Sequence, residues 1–127
     1  MMLPEPFEYI DLHHGESMIL RITSYEQGEG EIYPTKPSPR QVAAFMREHG
    51  LTEPPTPGTP IGVTVHIMRL FGQRLDEQSD APYWDASSKT LQAALRGYLT
   101  RNYGVPVEVK LTAVGAAPYK RYSISRP

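Results

Sequence analysis

The 127-residue chain contains no cysteine. Disulfides, zinc sites built on thiolates and thiol nucleophiles are therefore excluded. No apolar run is long enough to span a bilayer, and the start, MMLPEPFEYIDL, lacks the basic and apolar regions of a signal peptide. The length suits one domain with its own core. We expect a single domain over residues 1–127, in a cytoplasmic setting, with no membrane partner.

Recognisable catalytic and cofactor motifs are also missing. The four histidines, His13, His14, His49 and His66, show no helical ligand spacing. No nucleophile-elbow pattern surrounds any serine. The sequence GEG at 28–30 is too short and too acidic to cradle a phosphate, and no dinucleotide fingerprint is present. We therefore expect no enzyme activity, no metal site and no cofactor.

Charge is distributed unevenly along the chain, although its net value is −1. Residues 1–35 hold seven acids and one base (−6), residues 36–88 hold six acids and five bases (−1), and residues 89–127 hold seven bases and one acid (+6). Such a chain could bind an anionic partner through its basic third. Alternatively, the acidic and basic thirds could meet in the fold and neutralise each other.

Hydrophobic periodicity and helix-terminal signals predict five strands and two helices. The first helix carries Ser38 as a cap, Pro39 in its first turn and Gly50 as its end, and it is expected to dock through Val42, Phe45 and Met46. Between the helix and the next strand, a Pro-rich connector at 52–60 is expected to be stiff and extended. The predicted elements are strand 17–26, exposed loop 27–37, helix 38–50, central strand 61–75, short strand 82–87, helix 87–104, and a terminal hairpin of strands 105–114 and 118–125.

The second predicted helix should bury one apolar stripe. Its buried residues are expected to be Leu91, Ala94, Leu95, Tyr98 and Leu99, whereas Lys89, Gln92, Arg96 and Arg101 should face elsewhere. The order of elements favours an α+β fold with a curled, mostly antiparallel sheet and two helices. Such a sheet could close as a small OB-like barrel.

The basic and aromatic end of the chain is the candidate binding surface. Binding of single-stranded nucleic acid requires cations for phosphates and flat side chains for bases. The alternative is that the aromatics pack and the cations only discourage edge pairing or face solvent. The candidate nucleic-acid-binding residues are Lys110, Tyr119, Lys120, Arg121, Arg126, Trp84 and Arg96.

Strand alternation divides the hairpin residues between two faces. If GAAP is a four-residue loop, Val114 pairs with Tyr119 and Lys110 with Ser123. Tyr119, Arg121 and Lys110 then lie on the outward face. Lys120 and Tyr122 lie on the inward face, toward Val109, Leu111, Ala113 and Ile124. An odd loop length would reverse this assignment, because a one-residue slip exchanges the faces.

Several segments together resemble a known family. The runs YWDASSKTLQAALRGYL, VPVEVKLTAVG and YKRYSIS, with GESMILRITSYE upstream, look like small phage and archaeal single-stranded DNA-binding proteins. The likeness covers about half of the chain and rests on hydrophobic pattern. It implies an OB-like fold and binding of single-stranded DNA. The strongly acidic first third and the helix at 38–50 depart from that pattern.

Three functional hypotheses follow. The leading hypothesis is a non-enzymatic protein that binds single-stranded nucleic acid through phosphate neutralisation and tyrosine stacking. The main alternative is a phage-type adaptor that binds a host protein through its acidic N-terminal third and Pro-rich loop. The third hypothesis is a small structural or oligomer-forming protein that uses its edge strands.

Overall fold

The computed structural model describes residues 9–102, 104–116 and 119–127. It confirms the α+β class, because an antiparallel five-stranded sheet is combined with two helices. No helix in these three ranges is long and apolar enough to cross a membrane. In chain order the elements are β1 (Ser17–Ile32), α1 (Pro39–His49), β2 (Val63–Arg74), β3 (Tyr83–Ala86), α2 (Lys89–Arg101), β4 (Val107–Val114) and β5 (Arg121–Ser125).

The strand order across the sheet is β3-β2-β1-β4-β5. β3 and β5 are therefore its two edges. Closure into an OB-like barrel is not seen, because no pairing joins β3 to β5 among the described residues. The predicted central strand is confirmed, since β2 pairs with β1 on one side and β3 on the other.

β1 is longer than its sequence predicted. The segment expected to be an exposed loop continues the strand to Ile32, paired with β2 along its whole length. Gly30 in this segment has a packing role. A Cβ on Gly30 would lie 2.9 Å from the Cγ1 of Ile67, so only glycine leaves room for that buried side chain. The loop prediction was wrong for residues 27–32, because glycine and glutamate suggested exposure whereas pairing with β2 determines the conformation; residues 33–37 do form a loop.

The main core lies between α2 and one face of the sheet, which we call the inner face. Met18, Leu20 and Ile22 of β1 point into this core, as their alternation predicted. The opposite surface of the sheet is the outer face. The other strand residues in the core are Met68, Leu70, Trp84, Ala86, Val109 and Leu111.

Helix α2 begins and buries its apolar stripe nearly as predicted. Ser88 caps it by accepting a hydrogen bond from the backbone N–H of Leu91. Leu91, Leu95, Tyr98 and Leu99 are buried, but Ala94 is only half-buried.

The prediction that Gln92 faces away from the core was wrong. This residue is 2% exposed, and its amide nitrogen donates to the carbonyls of His66 and Ala86, each at 2.8 Å. The amide satisfies two backbone acceptors beneath the helix, which offsets the cost of burying a polar group.

Helix α1 has the predicted caps but docks more shallowly than expected. The Ser38 side chain and Gln41 form a reciprocal capping box, and Gly50 ends the helix in the left-handed conformation. No residue of α1 is fully buried; Val42, Phe45 and Met46 are half-buried. The helix therefore lies at the far end of the β1–β2 pair, outside the main core.

The Pro-rich connector is not uniformly extended. Thr56, Pro57, Gly58 and Thr59 form a type II turn, in which the Thr59 N–H donates to the Thr56 carbonyl at 3.0 Å and Gly58 has φ +89°. The chain reverses there because proline suits the second turn position and glycine the third. An apolar cleft of about 660 Å³ lies between this connector, Tyr33 and Val42.

Candidate nucleic-acid interface

The terminal hairpin keeps its predicted faces but not its predicted register. Val114 pairs with Arg121, and Lys110 with Ser125, a shift of two residues from the prediction. The connection is therefore six residues long, 115–120, rather than the four of GAAP; residues 117 and 118 lie outside the described residues. Because the shift is even, each side chain within β4 and β5 stays on its expected face. Lys110 and Arg121 lie on the outer face, and Tyr122 packs against the core.

Tyr119 is the most exposed large apolar side chain of the described residues, at 82%. It belongs to the β4–β5 loop rather than to β5. Two contacts fasten this loop to the N-terminal segment. The Gly115 N–H donates to Nδ1 of His14 at 2.8 Å, and Lys120 Nζ lies 3.0 Å from Oδ1 of Asp11. Because these contacts hold the loop in place, the exposed Tyr119 ring loses little conformational entropy when it stacks on a base.

Lys120 is engaged within the protein. Burial lowers the pKa of Lys120, but hydrogen bonds to Asp11 and to Tyr122 outweigh that effect and leave its pKa raised. Its Nζ also lies 5.4 Å from the centre of the Tyr122 ring. Lys120 therefore holds the loop, and we do not assign it to phosphate binding.

In the part of the acidic third that the structure describes, residues 9–35, no segment covers the hairpin. Lys110, Arg121 and Arg126 make no ion pair among the described residues, whereas Lys120 pairs with Asp11. β4 pairs only with residues 17–22 of β1, so Glu29 and Glu31 lie farther along that strand. Among the described residues, the expected neutralisation of one third by the other thus amounts to the ion pair of Lys120 with Asp11 at the loop.

The outer face continues from the hairpin across the whole sheet. Arg21 of β1 is exposed and lies opposite Glu108 of β4 and Gln73 of β2. Farther across, Phe71 and Tyr83 are half-buried, with ring centroids 5.7 Å apart. The width from β5 to β3 is four strand spacings, about 19 Å.

Sequence reasoning missed Arg21 and Phe71 as members of this surface, and it left Tyr83, an aromatic residue of the right type, out of the candidate set. Strand alternation assigns Arg21 to one face of β1 and Phe71 to one face of β2, but it does not show that the two faces are the same. Their shared face becomes evident only with the β1–β2 register, which includes a shift between Ile22 and Ser24. No local sequence signal predicted that irregularity.

A buried ion pair supports the β2–β3 part of the outer face. Arg69 and Asp85 are 2% and 1% exposed and form two parallel hydrogen bonds, Nε to Oδ1 at 2.7 Å and Nη2 to Oδ2 at 2.8 Å. The guanidinium also lies 4.1 Å from the centre of the Tyr83 ring. The hydrogen bond to Asp85, opposed by burial, raises the pKa of Arg69, so the guanidinium stays charged against the Tyr83 ring.

Trp84 does not belong to the surface, contrary to expectation. It is 1% exposed and packs on the inner face with the main core. Its neighbour Tyr83 points to the outer face because successive strand residues alternate. A base cannot stack on a ring that the core covers on all sides.

Arg96 and Arg126 lie apart from the outer face as well. Arg96 is exposed on α2, so the helix and the sheet separate it from Lys110 and Arg121. Arg126 follows the end of β5 away from Tyr119 and lines a shallow cleft with Tyr98 and Asn102. Of the predicted residues, the structure brings together Lys110, Arg121 and the adjacent Tyr119.

The comparisons with known proteins give no family assignment. No protein-family model matches this chain, and neither curated proteins nor solved structures show a significant match. Within the described residues, no group of three His, Asp or Glu side chains is arranged to hold a metal ion.

Proposed function

We propose that this protein binds single-stranded nucleic acid, without catalysis, on the outer face of its sheet. The observation that carries the proposal is that Lys110 and Arg121, neither of them in an ion pair within the described residues, share one face with Phe71 and Tyr83. Cations and flat side chains on one face are what a sequence-tolerant single-strand site requires.

Each group has a distinct role in the proposed complex. Lys110 and Arg121 neutralise phosphates, and release of counterions makes binding weaken steeply with salt. Tyr119 at the loop, and Phe71 and Tyr83 across the sheet, offer rings to successive bases. One stacked base is worth roughly 1–3 kcal/mol. Because every base has a flat face, little sequence preference is expected.

The arrangement is consistent with the resemblance to OB-like proteins. An OB-fold binds oligonucleotides on the face of strands 2–3 and with the loops between strands 1–2 and 4–5. In this chain Phe71 and Tyr83 lie on β2 and β3, and Tyr119 lies in the β4–β5 loop. The similarity concerns the positions of these aromatic residues and does not extend to barrel closure, because β3 and β5 do not pair with each other among the described residues.

Titration of labelled oligo(dT) over a range of salt concentrations tests the proposal. Three proteins are compared: wild type, Lys110→Ser/Arg121→Ser, and the control Lys89→Ser/Arg96→Ser, which removes the same charge from α2. Loss of two phosphate contacts should reduce the slope of log K against log salt by about 1.4. The control should keep the wild-type slope.

Tyr119→Ala separates stacking from charge in the same assay. It should weaken binding by roughly the 1–3 kcal/mol of one stacked base while leaving the salt slope unchanged. Absence of binding by wild type at low salt would overturn the function. Equal losses in both double variants would retain the function but reject this face as its site.

A second candidate function is the adaptor that binds a host protein. One observation favours it: the acidic end of β1 and the Pro-rich connector meet beside the apolar cleft. Glu31 lies over Gly62, and Tyr33, two residues on and 64% exposed, lines the cleft with Val42. An apolar anchor flanked by basic residues would complement this end of the molecule.

Site-specific photo-crosslinking in the natural host tests the adaptor. A crosslinker at Thr59, in the cleft wall, should give one adduct that is lost in Tyr33→Asp. The same group at Thr100, exposed on α2, should not give that adduct. Adducts of equal yield at both positions would reject the cleft as a docking site.

A further inference from the structure

The two edges of the sheet differ in how they are protected. The edge strand β3 is partly covered by the N-terminal segment, since Tyr9 bridges Asp85 in parallel and the Ile10 N–H donates to the Asp85 carbonyl at 2.9 Å. No described residue covers β5 in this way. β5 also contains neither proline, lysine nor a bulge, although it carries the charged Arg121 and helix α2 packs beside it.

Backbone hydrogen bonds show which groups of β5 face the free edge. The Ala113 N–H donates to Glu16, and the Ala113 carbonyl accepts from Gly15, so both groups point toward β1 and away from β5. Ala113 is the partner of Tyr122. Because hydrogen-bonded and non-hydrogen-bonded pairs alternate in an antiparallel ladder, Tyr122 and Ile124 direct their N–H and C=O groups outward.

A second copy of β5 fits this edge in one antiparallel register. With the two-fold axis at Ser123, Tyr122 of each copy lies opposite Ile124 of the other. These are the residues with outward backbone groups, so the register forms four new hydrogen bonds. Their half-buried side chains meet on the inner face as aromatic–β-branched pairs, which are favourable across strands.

The outer face is also compatible with this register. Arg121 lies opposite Ser125 of the second copy, and Ser123 lies opposite its own equivalent. Within β5 no like charges are directly opposed; just beyond the strand, Lys120, which pairs with Asp11, lies opposite Arg126 of the second copy. The edge is therefore self-complementary, as an isologous two-fold interface requires.

We propose that two copies of this chain pair through β5, antiparallel about Ser123, to form a continuous ten-stranded sheet. Pairing of two five-residue strands buries less than the roughly 1,200 Å² of a stable interface. The dimer is accordingly weak, with a dissociation constant on the order of 0.1–1 mM. It places the outer faces of both copies side by side.

One consequence rests on the proposed function. Two adjoining outer faces would let one strand of nucleic acid contact both copies, so binding would be cooperative and would strengthen the dimer through effective concentration. The dimer itself needs no nucleic acid and is tested without it.

Sedimentation equilibrium of the full chain, in the absence of nucleic acid and up to 1 mM, tests the interface. Ser123 is exposed on the outer face, so Ser123→Lys and Ser123→Glu alter no core contact. Either variant alone opposes like charges at the axis and should weaken the dimer about fivefold. An equimolar mixture opposes Lys to Glu and should restore dimer formation to wild-type level or above. Ser24→Lys, exposed on β1, is the control and should leave the dimer unchanged.

Two results would overturn the inference. One is a wild-type chain that remains monomeric up to 1 mM. The other is a dimer that neither variant weakens, alone or mixed, which would place the contact elsewhere. In both cases a single chain would still bind oligo(dT) and only the cooperativity would be lost, so failure of the dimer is distinguishable from failure of the proposed function.

Discussion

Arg69 and Asp85 form a cross-strand ion pair, doubly hydrogen-bonded, at positions that are almost fully buried. The pair joins β2 to the edge strand β3 beneath Tyr83, whose ring lies against the guanidinium. A buried pair of this kind contributes little relative to apolar residues of similar size, because desolvation offsets the attraction. Removal of only one of the two residues, however, leaves the other as an uncompensated buried charge.

We therefore expect Asp85→Ala to lower the free energy of unfolding by about 3–5 kcal/mol. The double variant Arg69→Met/Asp85→Leu should recover most of that loss, since it removes both charges and keeps the packing. Urea denaturation followed by circular dichroism measures both. Equal stability of the single and the double variant would show that the charge itself carries no penalty.

Two glycines should respond oppositely to alanine. Gly97 lies within α2, where an added Cβ meets nothing within 4 Å. Gly97→Ala should raise the free energy of unfolding by about 0.5–1 kcal/mol, because alanine has the higher helix propensity. Gly30→Ala should be destabilising, because its Cβ would lie 2.9 Å from Ile67. Denaturant midpoints of the two variants test the contrast, and stabilisation by Gly30→Ala would refute the packing role of that glycine.

Asp76 should make stability sensitive to acid. It accepts hydrogen bonds from Arg74 at 2.9 and 3.2 Å and from the Ile19 N–H at 3.1 Å. The bonds from Arg74, opposed by partial burial and aided by Ile19, hold the pKa of Asp76 below its ordinary value of 3.8. The folded state thus binds this proton less readily than the unfolded state. The stabilisation that Asp76 provides is present above its pKa in the unfolded state, and it is lost as the pH falls through its pKa in the folded state.

Asp76→Asn is expected to cost about 1 kcal/mol of unfolding free energy at pH 7. The difference from wild type should shrink below pH 4. Asp80→Asn, an exposed position in the same loop, is the matched control and should change stability little. A deficit of Asp76→Asn that stays constant down to pH 2 would contradict the assignment.

Burial of Trp84 predicts a specific fluorescence behaviour. It is the only tryptophan in the chain, and its side chain is 1% exposed. Its emission should be blue-shifted and resistant to iodide, and saturation with oligo(dT) should not quench it. Strong quenching by oligo(dT) would instead indicate that Trp84 belongs to the binding surface.

Much of the local structure was predictable because its signals are local. Ser38 and Gly50 bound the first helix within a residue of its observed ends, and Ser88 caps the second. The alternation of Met18, Leu20 and Ile22 identified the inner face of β1. The assignment of the β4 and β5 side chains to the two faces was also correct, because a two-residue error in register preserves the faces.

What could not be predicted depends on contacts between distant segments. The strand character of residues 27–32 follows from β2, whose Ile67 requires the space that Gly30 leaves. Gln92 is buried because two carbonyls, those of His66 and Ala86, lie beneath it. The combination of Arg21, Phe71 and Tyr83 with the hairpin cations likewise depends on the order and register of strands far apart in sequence.

Chemical-shift mapping by NMR during titration with oligo(dT) tests the central claim most directly. The account predicts that the largest amide shifts fall on the outer face, at Lys110, Thr112, Arg121, Ser123 and Phe71, with small shifts at Lys89 and Arg96 on α2. Added salt should reverse them. Shifts that are absent at low salt, or that concentrate on α2 or the Pro-rich cleft, would contradict it.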